Sequence, residues 1–268
     1  MTFEREIETA ARAARAAGAT IMELYGHVEA EMKGLGDPVT EADRRCNEQI
    51  VRALRSAFPE DGIVAEESKD DPSVRTRRGR VWFVDPLDGT KEFLAKNGEF
   101  SVMVGLAVDG VAKVGAVYRP EGDVLWTATP HGATREAAGV RTAVRVSTRA
   151  ETRQARMVSS RSHREPVLDR MRAELGIVAE RASGSVGLKV GLIVDDLADL
   201  YVHPSGHARL WDTCAPEAIL VAAGGRMTDC HGRPIRYDVD DARCTDGIVA
   251  SNGLVHDVVV AWTAAAIS

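Results

Sequence analysis

Apolar residues recur at helical spacing from the start of the chain: Phe3, Ile7, Ala10, Ala14, Ala17, Ile21 and Leu24 fall on one face. That period predicts an amphipathic helix, and its alanines predict close packing against a neighbour. Gly34, Gly36 and Pro38 predict a loop. A second helix is predicted from about Thr40 to Phe58, with Ile50, Leu54 and Phe58 on one face and Pro59 beyond its end. The pattern then changes to short apolar runs. "GIVAEES" predicts a strand with acids at its end, polar "DPSVRTRRGR" an exposed connection, and "VWFVDP" a buried strand stopped by Pro86. "SVMVGLAV" and "VAKVGAVY" flank Asp109-Gly110, a hairpin signal, and "DVLWTAT" adds an antiparallel strand.

Beyond Val146 the elements alternate. "ARMVSS", "GIVAERA", "DLYVH" and "GIVASN" predict strands. Glu165 to Leu175, "VGLKVGLIV" (a buried helix), "DTCAPEAILVAAGG" with its Gly224-Gly225 stop, and Val255 to Ile267 predict helices. A hairpin-rich α+β half, residues 1–146, therefore precedes an α/β half, residues 147–268.

Composition narrows the function classes. The formal net charge of -6 leaves no dominant basic face, which argues against a nucleic acid polymer as partner. A small anion is still accommodated, because a bound metal reverses the local sign. Cys46, Cys214, Cys230 and Cys244 lack C-x-x-C spacing and read as reduced thiols. The N-terminus carries charges throughout and no later run approaches about 20 apolar residues, so there is no signal peptide or transmembrane segment in this reading and a cytoplasmic protein is expected.

The candidate chemistry lies in acids. "FVDPLDGTKEF" ends an apolar strand with Asp85 and Asp88, two like charges that repel unless a cation lies between them. Asp88 alone reads equally as a helix cap, Glu66 and Glu67 as a solvated pair, Asp212 as an N-cap, and Thr40-Glu-Ala-Asp43 as a capping box. Gly89 opens space where a helix N-terminus receives a phosphate, and hard oxygen ligands beside phosphate suit Mg2+. A Ser-His-Asp hydrolase using Ser162 and His163 lacks a G-x-S-x-G elbow, and a zinc site using Cys230, His231 and Cys244 lacks the spacing.

Taken together, Asp43 in "DPVTEAD", Glu66-Glu67 in "AEES", "DPLDGT" from Asp85 to Thr90, and "WDTCAPEA" from Trp211 resemble the inositol monophosphatase superfamily of Mg2+-dependent, commonly lithium-sensitive phosphatases. The resemblance implies a layered α-β-α-β-α sandwich. It implies that Glu66, Asp85 and the Leu87 carbonyl hold one Mg2+, and that Asp85, Asp88 and Asp212 hold a second. A third, weaker ion would sit near Glu66 and, through water, Asp43, giving two to three ions in all. Asp43, Glu66 and Thr90 would be the catalytic residues, with Asp43 and Thr90 orienting the attacking water. Leu87, Asp88, Gly89, Thr90 and Asp212 would line the phosphate. Members occur as monomers or dimers, so a homodimer is compatible with this chain.

"DPLDGTKEF" and "SSRSH" further resemble the family's 3'(2'),5'-bisphosphate nucleotidase branch, in which a histidine in the latter stretch lies against the nucleotide; here that is His163. "SGSVGLKVGLI" resembles the branch's substrate-contacting Gly-Ser-Ser-Leu-Lys segment, implicating Ser185 and Lys189, although Val186 and Gly187 stand where paired serines are expected. As an alternative, Lys189 snorkels from its helix. Where the branch often carries an arginine after "DLYV", this chain has His203, with Arg209 as a substitute. The expected reaction is removal of the 3'-phosphate from 3'-phosphoadenosine 5'-phosphate. Inositol monophosphatase activity, histidinol-phosphatase activity and an inactive phosphate-binding module are the alternatives.

Overall fold

The structure, a computed structural model, describes residues 2–27, 31–34, 37–69, 71–162 and 164–267. The chain runs α1 (Glu4–Leu24), β1 (Glu31–Gly34), β2 (Asp37–Val39), α2 (Glu41–Ala57), β3 (Gly62–Ala65), α3 (Pro72–Arg77), β4 (Arg80–Asp88) and α4 (Thr90–Leu94). A meander follows: β5 (Ser101–Val108), β6 (Val111–Arg119), β7 (Val124–Thr129), β8 (Gly132–Ala137) and β9 (Val140–Ala143). The remainder is β10 (Arg156–Ser160), α5 (Val167–Leu175), β11 (Ala179–Ser183), α6 (Val186–Val194), β12 (Leu200–His203), α7 (Leu210–Ala222), β13 (Arg226–Thr228), β14 (Ile248–Ser251) and α8 (His256–Ala266).

Two sheets organise these elements. Strands β3 to β9 form a seven-stranded sheet in sequence order, and β11-β10-β12-β14-β13 a five-stranded one. The apolar faces of α1 and α2 close the outer side of the first sheet around Ile21, Ile50, Leu54 and Trp82. Helices α6 and α7 fill the space between the sheets, where Leu188, Ile193, Ile219 and Leu220 meet Met103, Val117 and Tyr201. Helices α5 and α8 cover the far side of the second sheet through Leu168, Met171, Val255 and Val259. The result is the α-β-α-β-α layering expected from the sequence. Each apolar stripe found there has its partner.

Contact between layers is tightest at α7. A Cβ on Gly115 of β6 would fall 2.3 Å from the Ala215 carbonyl, so only glycine lets the helix backbone rest on the strand. That approach fixes the height of α7, and with it the first turn carrying Asp212. Helix α2 begins as a true capping box: Thr40 Oγ1 accepts from Ala42 N at 3.1 Å while Asp43 Oδ2 accepts from Thr40 N at 2.7 Å. Such a cap contributes about 1 kcal/mol.

Several local expectations are corrected. Of the stretch assigned to a loop, Gly34 and Pro38 fall in the antiparallel pair β1/β2, and Gly36 lies outside the described residues. "DPSVRTRRGR" is not an open connection. Asp71 caps α3 by accepting from Ser73 N, with Pro72 at the first helical position. Arg75 is 1 % exposed and donates to the Val239 and Asp240 carbonyls at 3.0 and 2.5 Å. An arginine stem covering apolar surface while its head meets carbonyls is invisible to a polarity scan. The β8/β9 hairpin turns at Ala138-Gly139, both at positive φ, and was hidden because β9 is exposed at every position. β13, only three residues long, leaves too short a pattern to read.

Candidate active site

Residues three apart on a regular strand point to opposite faces. Asp85 and Asp88 are three apart, yet Asp85 pairs with Met103 and Asp88 with Ser101, which are two apart on β5. One extra residue in β4 forms a bulge that restores parity and turns both carboxylates to the same side. Pro86, expected to stop the strand, sits inside this bulge instead, where its missing N–H is not needed. Gly89 follows at φ 99°. A Cβ there would lie 2.9 Å from the Glu99 carbonyl, so the step from β4 into α4 requires glycine.

Neighbouring segments bring the other acids. Glu66 continues β3 through its N–H to the Val84 carbonyl at 3.1 Å, and its carboxyl hydrogen-bonds that of Asp85. Asp212 is not the cap of α7, as the sequence suggested, but its third helical residue; Arg209 caps, and its N–H donates to Asp212 Oδ2 at 2.8 Å. Asp88 does not cap α4 either. Its Oδ2 accepts from Ser185 Oγ at 2.5 Å and from Gly187 N at 2.9 Å, so it serves the start of α6. Thr90 Oγ1 lies 3.1 Å from Asp43 Oδ1 and 3.2 Å from the Leu87 carbonyl. Asp43 thus keeps its capping bonds and is joined to the cleft-lining Thr90.

These residues share one cleft of about 730 Å³. Glu66, Asp85, Leu87, Asp88, Gly89, Thr90 and Asp212 line one wall, and Ser185 and Lys189 line it from α6. Asp43 does not line it, and His163 lies outside the described residues. Among the described residues, no three acid, histidine or cysteine side chains are drawn into a closed ligand group. Three of the acids accept from donors of the protein: Asp85 from Leu87 N at 3.0 Å, Asp88 from Ser185 and Gly187, Asp212 from Arg209 N.

These donors do not offset the charge the acids bring together. Burial, then the charges of Glu66, Asp88 and Asp212, push the Asp85 pKa well above the usual carboxylate range. Burial and the Asp88 charge do the same to Asp212, opposed by the Arg209 N–H. Burial raises Asp88 as well, against the Lys189 ammonium and the Ser185 and Gly187 donors. A set of hard oxygen donors whose mutual repulsion exceeds its protein-supplied positive charge fits a small divalent cation.

The opposite wall carries donors. Lys189 is 3 % exposed and does not snorkel: its Nζ donates to the Ser185 carbonyl at 2.9 Å and lies 5.1 Å from the Tyr201 ring centroid. Burial lowers its pKa, while Asp88 and Glu92 act to raise it. His203 and Arg209 both line this cleft, as do Tyr201, His207 and Trp211. Ser162, near the mouth, donates to Glu92 Oε1 at 2.5 Å, a bond from the second half to the first. Tyr201 and Glu92 were missed as site residues. The signal for Tyr201 was strand alternation in "DLYVH": Leu200 and Val202 face the α5/α8 layer, and Tyr201 faces the layer of α6 and α7. Burial and the Asp88, Asp212 and Glu165 charges hold the Tyr201 phenol protonated.

A family model described as the inositol monophosphatase family matches residues 4–266. The chain is 36% identical over 229 residues to the 3'(2'),5'-bisphosphate nucleotidase CysQ of Escherichia coli (strain K12), covering 84% of this chain and 90% of that one. It is 31% identical over 262 residues to the 3'-phosphoadenosine 5'-phosphate phosphatase of Mycobacterium leprae (strain TN), covering 92% and 90%. Among solved structures, CysQ from Bacteroides thetaiotaomicron aligns with TM-score 0.79 at 30% identity over 93% of this chain and 98% of that one. An IMPase of Thermotoga maritima aligns with TM-score 0.81 at 26% identity, covering 98% of both. The match runs from the first residue of α1 to the last of α8 and takes in every segment that contributes an acid to the cleft: this chain belongs to the inositol monophosphatase family.

Proposed function

We propose that this protein is a magnesium-dependent phosphomonoester hydrolase that removes the 3'-phosphate of 3'-phosphoadenosine 5'-phosphate, leaving AMP. The observation that carries the reading is one cleft receiving Glu66, Asp85, Asp88 and Asp212 from three separate segments, with Lys189 among the residues lining it. The named activities of the E. coli and M. leprae relatives support the choice of substrate.

Glu66, Asp85, the Leu87 carbonyl, Asp88 and Asp212 would hold two to three magnesium ions. Bound there, magnesium supplies Lewis-acid neutralisation of the phosphate and lowers the pKa of the attacking water. The chain's own residues orient the reaction. Thr90 Oγ1 donates a hydrogen bond to Asp43 Oδ1, which leaves the hydroxyl lone pairs to accept a hydrogen bond from that water. Glu66 accepts a second one. Attack in line with the ester bond then expels the alcohol toward the wall of Lys189, Tyr201 and His203. Ser185, which bonds Asp88, ties the two walls together. Residues 1–146 and 147–268 are read as two halves meeting at this cleft. Lithium inhibition and a cytoplasmic location belong to the same reading; among the described residues, no helix is long and apolar enough to cross a membrane.

The test is side-by-side turnover of 3'-phosphoadenosine 5'-phosphate, inositol 1-phosphate and histidinol phosphate. The nucleotide is expected to have the highest kcat/KM. If it were the poorest of the three, the substrate assignment would fall.

A further inference from the structure

Tyr201 occupies the middle of β12 and is 1 % exposed, yet it lines the cleft. Among the described residues, its hydroxyl is not one of the fully buried side-chain atoms left without a partner, and no side chain is bonded to it, so the oxygen keeps a sliver of surface open to the cleft. The phenol of Tyr237, also 1 % exposed, is by contrast bonded to Glu217 and Thr213. The ring of Tyr201 is held in place. Lys189 Nζ lies 5.1 Å from its centroid, and the His203 ring lies nearly parallel at 18° and 6.3 Å. Its backbone is held on both sides, to Val158 of β10 and Ala250 of β14.

Tyr201 lines the same cleft as Asp88 and Asp212, the charges that weigh most on the phenol after burial. The hydroxyl therefore borders the space where a phosphate ester would lie. A fixed O–H with no acceptor in the protein is prepared for an acceptor in a ligand.

We propose that the Tyr201 hydroxyl donates a hydrogen bond to an oxygen in the alcohol half of the bound phosphate ester, making Tyr201 a substrate-contacting residue. The inference rests on the phosphatase reading above. Within that reading the scissile phosphate belongs to the acid wall, and the alcohol half faces α6 and β12. The bond strengthens substrate positioning and transfers no proton.

Tyr201→Phe removes only the oxygen. The test compares this variant with wild type on 3'-phosphoadenosine 5'-phosphate and on 3'-AMP, which lacks the second phosphate. Loss of one hydrogen bond to an anionic acceptor is expected to lower kcat/KM about 10- to 100-fold. The thermal midpoint and the Mg2+ concentration for half-activation should stay at their wild-type values, which separates substrate contact from a structural role or a metal-ligand role. A loss confined to the bisphosphate locates the acceptor on the second phosphate; an equal loss on both nucleotides locates it on the sugar or ester oxygens. Either pattern supports the proposal. Activity within twofold of wild type on both substrates would overturn it, and so would a loss that comes with a lowered thermal midpoint. A wild type that hydrolyses inositol 1-phosphate but neither nucleotide removes the nucleotide assignment alone, and Tyr201→Phe is then scored on inositol 1-phosphate by the same criteria.

Discussion

Two buried aspartates sit in opposite electrostatic surroundings. Asp199 is fully buried and is met by cations: Arg156 donates through its N–H at 2.7 Å and its Nε at 2.9 Å, Ser147 donates to the other oxygen, and Arg149 lies nearby. The Arg156 and Ser147 donors outweigh burial and hold its pKa below the usual range. Asp85 is 3 % exposed and is met by other acids, which with burial drive its pKa up. The first arrangement is complete within the protein. The second is complete only when charge arrives from outside. A count of buried acids alone would not separate structural from functional aspartates; the sign of what surrounds them does.

Exchanging the two sites' roles by mutation should break the comparison if it is wrong. Asp85→Asn is expected to reduce kcat about 1,000-fold, the scale of losing a central transition-state stabiliser. Urea denaturation without metal should show its stability unchanged or raised, because a repulsive charge has gone. Asp199→Asn should do the reverse. It weakens a buried, multiply bonded ion pair at a cost of about 3 kcal/mol, visible in the same urea titration, while kcat stays within twofold.

Asp88 lies between these extremes, since it bonds Ser185 and Gly187 while facing the acid cluster. Asp88→Asn is expected to cost about 100-fold in turnover and to raise the Mg2+ concentration needed for half-activation. A variant that unfolds with no change in Mg2+ requirement would make Asp88 a helix-start residue only.

The smallest effect concerns Glu217 on α7, whose carboxyl burial pushes up to about 7 while Tyr237 donates to it. Its folded pKa exceeds its unfolded value of 4.5, so the folded state binds more protons between them. Stability is then full below about pH 4.5 and falls as pH rises toward 7, with a slope of at most about 1.4 kcal/mol per pH unit. Glu217→Gln should flatten that slope in thermal melts across the same range. An unchanged slope would assign it to other groups.

How much of this was legible in the sequence differs between the two walls. Asp85, Asp88, Gly89 and Thr90 lie within six consecutive residues, and a bulge with a following glycine is encoded locally by Pro86 and Gly89. Their convergence could therefore be read. Asp212 was readable as an acid at the start of a helix, but its position depends on α7 resting against Gly115, a contact between distant segments. The layered fold was implied by the family resemblance, while helical and strand periods that agree with burial placed most of the elements that build it. The opposite wall was harder to read, because its residues have plausible alternatives in the core. Lys189 looked able to snorkel and is buried. Tyr201 lay in the predicted strand "DLYVH" with nothing to mark it as a cleft residue, and its ring packs in the core. Arg75 was taken for loop because its partners are carbonyls more than 160 residues away.

The central claim is that the cluster around Asp85 is completed by divalent cations and then hydrolyses phosphate esters. The most direct measurement follows phosphate release from 3'-phosphoadenosine 5'-phosphate in chelator-treated protein as Mg2+ is added back, for wild type and Asp85→Asn side by side. The account predicts no release without Mg2+, saturable recovery in wild type, and almost none in the variant at any Mg2+ concentration. Release that persists in chelator, or an Asp85→Asn protein that recovers like wild type, would contradict it.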